Sequence, residues 1–77
     1  MPTSSVTLSS SWQNIGTGPL YVENVGPGTA HIHFGSTAPA ADTADYIGVG
    51  AGASRDYGGS DTVYARTFND AIVKTVS

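Results

Sequence analysis

Between Gly28 and Gly35 the chain alternates Ala30, Ile32 and Phe34 with Thr29, His31 and His33. That period of two predicts a strand with one buried face, expected near the centre of the domain. Shorter segments of the same kind lie on either side. Val6-Thr-Leu8 begins one, Trp12-Gln-Asn-Ile15 forms a second, and Leu20-Tyr-Val-Glu-Asn-Val25 sets Leu20 and Val22 against Tyr21 and Glu23. Beyond the central strand come Tyr46-Ile-Gly-Val49, then Thr62 to Phe68 with Val63 and Ala65 opposed to Tyr64, Arg66 and Phe68, then Ala71 to Val76.

Turn residues separate these segments at Gly16-Thr-Gly-Pro19, Gly26-Pro-Gly28, Gly58-Gly-Ser-Asp61 and Asn69-Asp70. Two hairpins are predicted from them, one joining 20–25 to the central strand and one joining 62–68 to 71–76. Ser36 to Asp45 has no large apolar residue and is expected to be a surface loop, with room for one helical turn between Ala38 and Ala44. No segment carries helical periodicity over the ten or so residues a helix needs. The expected fold is a single all-β domain over residues 1–77, an antiparallel sandwich or barrel of about seven short strands, with residues 1–5 a flexible N-terminal arm.

Composition sharpens this picture. Val, Ile, Leu and Phe number fifteen in 77 residues, so the core is thin. A net charge of −3 leaves the chain without the self-repulsion that keeps poorly hydrophobic segments unfolded. There is no cysteine to form a disulfide or a thiolate zinc site. Oligomerisation, or docking on a larger partner, is therefore the expected staple. The acidic balance argues against nucleic acid. No apolar run approaches the ~20 residues of a membrane span, and Met1-Pro-Thr-Ser-Ser-Val6 does not read as a signal peptide, so the chain is expected to fold in a cytoplasm.

His31 and His33 point to the same face of their strand, where two imidazoles suit one Zn²⁺ if Glu23 of the preceding strand supplies a third ligand. The plainer reading, which we adopt, is two histidines on the polar face of a half-buried strand, with no metal and no cofactor. Asp42, Asp45, Asp56 and Asp61 match no EF-hand spacing and read as turn-capping residues. Gly48-Val-Gly-Ala-Gly52 lacks the Lys and the following helix of a phosphate loop. With no Cys and no Gly-x-Ser-x-Gly, the chain is expected not to be an enzyme. Tyr21, Tyr46, Tyr57, Tyr64 and Arg66 are the residue types from which interface anchors are made, and equally those that complete a thin core.

Taken in order, Ser9-Ser-Ser-Trp12, Gly18-Pro-Leu-Tyr-Val22, Ile32-His-Phe-Gly-Ser36, Ala38-Pro-Ala-Ala-Asp-Thr43 and Thr62-Val-Tyr-Ala-Arg66 resemble the small β-structured virion proteins of tailed bacteriophages. The resemblance implies a structural protein without catalytic residues, commonly a homotrimer, whose partners are its sister copies and the major capsid protein or another virion protein. The expected role is capsid decoration, or cement, on the capsid exterior, with residues 1–8, the 36–45 loop and the tyrosine faces making contacts. A head-fibre or tail-associated module would use the same fold with a different attachment surface. From another class, a small carbohydrate-binding module would use exposed Trp12 and tyrosine platforms with loop aspartates.

Overall fold

The computed structural model describes residues 3–76. Eight strands form two antiparallel four-stranded sheets packed face to face. The strands are β1 (Thr3–Thr7), β2 (Gln13–Thr17), β3 (Leu20–Pro27), β4 (Ala30–Gly35), β5 (Ile47–Val49), β6 (Ser54–Tyr57), β7 (Thr62–Arg66) and β8 (Ala71–Val76). The first sheet runs β1-β8-β3-β6 and the second β2-β7-β4-β5. The protein is thus a sandwich, and β4 is an interior strand of its sheet, as its alternation predicts.

The inward positions follow the period of two. Leu20 and Val22 of β3, Ala30 and Ile32 of β4, Val63 and Ala65 of β7, and Ala71 and Val73 of β8 are buried, joined by Leu8, Ile15 and Val49. Ile15 is the extra residue of a bulge in β2, between the Asn14–Tyr64 and Gly16–Val63 pairs, and the bulge turns its side chain into the core. Three of these eleven residues are alanines, so the two sheets enclose little apolar volume.

Neither predicted hairpin forms. β3 and β4 lie in opposite sheets, as do β7 and β8, and among consecutive strands only β4 and β5 pair, across the 36–46 connection. The other turns are arches that carry the chain from one sheet to the other. A buried polar device holds the β3–β4 arch. Asn24, fully buried on β3, donates from Nδ2 to the carbonyls of Gly28 (2.8 Å) and Val49 (2.7 Å), and its Oδ1 accepts from Gly26 N–H (2.8 Å). Gly26 has φ of 86°, a left-handed conformation that favours glycine. The β7–β8 arch lies directly alongside. Gly28 N–H donates to the Asp70 carbonyl, Thr29 N–H to Asn69 Oδ1, and the Thr67 hydroxyl to the Thr29 carbonyl. Two arches bonded to each other satisfy backbone groups that a hairpin would satisfy internally.

This contact leaves no room beside Gly28, where a Cβ would run into the Asn69 and Asp70 carbonyls. Gly28→Ala is expected to cost about 2–3 kcal/mol, because backbone and not a flexible side chain must give way. A denaturant titration checks it, with Gly50→Ala, at a position with open space, as the neutral comparison.

Three further differences from the sequence reading have physical causes. Residues 3–5, expected in a flexible arm, pair with β8 from Thr3–Val76 to Thr7–Ile72, since ladder hydrogen bonds order a strand whose side chains stay largely in water; Met1 and Pro2 lie outside the described residues. Ser54–Tyr57 is an edge strand on β3 although Arg55 and Asp56 are both exposed. The 38–44 segment holds a turn, with Thr43 N–H on the Ala40 carbonyl, and no helix.

Candidate functional site

The outer face of the second sheet carries the densest set of chemically distinctive side chains. Pairing of β4 with β7 sets His31 opposite Arg66 and His33 opposite Tyr64, which brings the outward residues of both strands together. Two loop residues complete the group. Trp12 comes from the β1–β2 connection and Tyr46 from just before β5.

Arg66 is the hub and is only 3% exposed. Its guanidinium carbon lies 4.3 Å from the Trp12 ring centre, 4.7 Å from Phe68 and 5.4 Å from Tyr46, within the range of cation–π attraction to each. Nη1 donates to the Ala41 carbonyl, and Nε donates to His31 Nδ1 at 3.4 Å. The His31 ring stacks on Tyr46 at 4.2 Å and 21° and meets the Phe68 ring edge-on at 5.4 Å. His33 Nδ1 donates to the Asp45 carbonyl at 2.6 Å, with the Asp45 carboxylate 3.8 Å away. The 36–45 loop is therefore tied down at both Ala41 and Asp45, and Arg66 and His33 act as its clasps.

Burial and the Arg66 charge both lower the pKa of His31, burial being the larger cause. A histidine that resists protonation when folded contributes stability at pH above its ordinary value of about 6.5, and that contribution is lost as the pH falls through the lowered folded value. Thermal melts taken between about pH 7.5 and 5 are expected to show the folded state weakening toward acid. His31→Gln is expected to flatten that slope; an unchanged slope would place its cause elsewhere.

The predicted site residues separate into three places. Tyr46, Tyr64 and Arg66 join the cluster. Tyr57 stacks on Phe34 at 4.3 Å and accepts the Asp61 N–H on its hydroxyl, so it packs within the sandwich. Tyr21, 37% exposed, lies on the outer face of the first sheet. Arg66 is turned inward among its own chain's aromatics, since a long cation desolvates most cheaply when rings and carbonyls surround it.

Among the described residues, no third His, Cys, Asp or Glu joins His31 and His33 in a metal-holding group. Glu23 lies on β3 in the other sheet, so it cannot complete the triad considered for zinc. Trp12 is half-buried against the guanidinium, and among the described residues its buried Nε1 has no partner. It is not the open platform that sugar stacking on that residue requires.

Trp12 and Phe68 are the members whose roles sequence reasoning missed. Phe68 continues the alternation of Tyr64 and Arg66 and was legible as an outward residue. Nothing in the local pattern places Trp12 over Arg66. No protein-family model, curated protein or solved structure matches this chain.

Proposed function

We propose that this chain is a structural protein of a tailed-phage virion, a capsid decoration protein that acts as a homo-oligomer, a trimer by the resemblance, and clamps neighbouring major capsid subunits from outside. The observation that carries the reading is the distribution of exposed apolar side chains. The Cα atoms occupy a slab of 29 × 25 × 15 Å, and both broad faces bear large apolar groups. Tyr21, Val25 and Ile72 lie on the outer face of the first sheet, and Tyr46 on that of the second.

Such a slab has a use for partners on two sides, sister copies on one and a lattice on the other. A thin core without disulfides gains stability from both contacts. The 36–45 loop, clasped by Arg66 and His33, offers a preformed contact surface whose ordering cost is met in the free protein. On a lattice of repeated sites each copy needs only modest affinity.

Quantitative mass spectrometry of purified virions of the phage that encodes the chain tests this reading. Decoration predicts a copy number comparable to that of the major capsid protein, with the protein stripped from intact heads by mild denaturant. Absence from the particles contradicts it.

A further inference from the structure

One end of the sandwich is built from three arches in contact. The β1–β2 arch joins the β7–β8 arch through Leu8 N–H on the Ala71 carbonyl (3.0 Å) and Thr67 N–H on the Ser9 carbonyl (2.8 Å), and the β7–β8 arch in turn holds the β3–β4 arch. Between the β1–β2 and β7–β8 arches lies an open cleft of about 250 Å³, lined by Leu8, Ser9, Ser10, Thr67, Phe68, Asn69 and Asp70. Buried Leu8 and Thr67 are the most enclosed of these residues.

Phe68 is the unusual member. It is 66% exposed, the most exposed large apolar residue described, yet it is held in place by Arg66 and by the edge-on His31 ring. Around it stand groups that neither fold nor core uses. Among the described residues, the Ser10 hydroxyl, the Asn69 amide nitrogen and the Asp70 carboxylate have no hydrogen-bond partner, whereas Asn69 Oδ1 accepts from Thr29 N–H.

We infer that this cleft binds a single neutral sugar ring of a glycan. A pyranose has an apolar face of C–H groups, which matches an exposed aromatic ring, and a rim of hydroxyls that both donate and accept. The cleft offers the complement: Phe68 for the face, an amide donor on Asn69, a carboxylate acceptor on Asp70, and the Ser10 hydroxyl for either role. The chemistry also sets limits. The lining contains no Lys, Arg or His, so a phosphate, sulfate or acidic sugar would meet Asp70 without a counter-charge. The volume falls just below the ~300–1,000 Å³ of ordinary ligand clefts and suits one ring, with neighbouring sugars of a chain left in solvent. The walls are braced arch backbone, so binding orders little that is not already ordered. The inference goes beyond the decoration reading and does not depend on it.

The test is amide chemical-shift mapping on the full chain with the methyl glycosides of glucose, galactose, mannose and N-acetylglucosamine, and with choline as a cationic probe. The panel runs to about 50 mM, well above the roughly millimolar affinity expected of one ring in an open cleft. At least one sugar is expected to give saturable shifts confined to Ser9, Ser10 and Thr67 to Asp70. Phe68→Ala and Asp70→Asn are each expected to weaken it about tenfold or more, and Lys74→Ala, on the other sheet, to leave it unchanged. Because Phe68 also covers Arg66, Asp70→Asn serves as the variant that removes the charge of the acceptor without touching the aromatic cluster. No saturable shift from any sugar overturns the inference, as does binding of choline alone, which would assign the cleft to cations.

Discussion

Asn24→Ala is expected to cost about 3–5 kcal/mol and to leave the chain largely unfolded at physiological temperature, although the substitution removes no apolar contact. The side chain satisfies three backbone groups inside the fold: the N–H of Gly26 and the carbonyls of Gly28 and Val49. Each buried group left without a partner costs about 1–3 kcal/mol. A domain of this size has little more than that in total stability. The loss would fall on the β3–β4 arch and, through the Gly28 and Thr29 bonds to Asp70 and Asn69, on the β7–β8 arch as well. Asn24→Asp separates hydrogen bonding from size. At neutral pH its carboxylate keeps the acceptor for Gly26 but faces two carbonyls with no donor, so it is expected to be at least as damaging as alanine. On acidification a protonated carboxyl regains one donor, and part of the loss is expected to be recovered. Equilibrium urea unfolding of the three proteins checks the order.

Arg66→Ala is expected to lower stability by about 2–3 kcal/mol, combining lost cation–π attraction, the lost hydrogen bond to the Ala41 carbonyl and a void beside Trp12. For a domain of this length that corresponds to roughly 10–20 °C in Tm. Two signals besides the melt should change together. Trp12 fluorescence is expected to shift to the red as its cover is removed, and amide exchange across residues 40–46 to accelerate as one clasp opens. Arg66→Met keeps the length of the side chain without its charge or donors. If Met restores the melting temperature and the loop protection, packing alone accounts for the cluster; the geometry predicts that it restores neither in full.

The strands were legible because a thin sandwich makes most inner positions apolar. Ala30 and Ile32, or Val63 and Ala65, admit only one assignment of faces. Ser54–Tyr57 escaped notice because Arg55 and Asp56 are both exposed and only its two ends are partly buried, which leaves no alternation to read. The hairpins were misread for a more general reason. Gly-Pro-Gly and Asn-Asp mark a reversal of the chain, but an arch reverses it as sharply as a hairpin does. The distinguishing signal is Asn24, a polar residue on the same parity as Leu20 and Val22. It belongs in the interior only if backbone groups there need it. At the candidate site, the strand period placed His31, His33, Tyr64 and Arg66 on outward positions, and the β4–β7 register then made them neighbours. Trp12 and Tyr46 reach the cluster from loops, whose paths depend on the finished sandwich and not on local sequence. The cleft beside Phe68 was illegible for the same reason, since its two walls come from residues 8–10 and 67–70.

The claim on which the functional account rests is that this slab works with its broad faces covered. Mass in solution by light scattering, over a dilution series at neutral pH, tests it most directly, with Ile72→Glu as the variant that charges one outer face. The account predicts a stable oligomer, a trimer by the resemblance, that dissociates on dilution more readily in the Ile72→Glu protein. A folded monomer at every concentration would contradict it, since the thin core would then suffice alone.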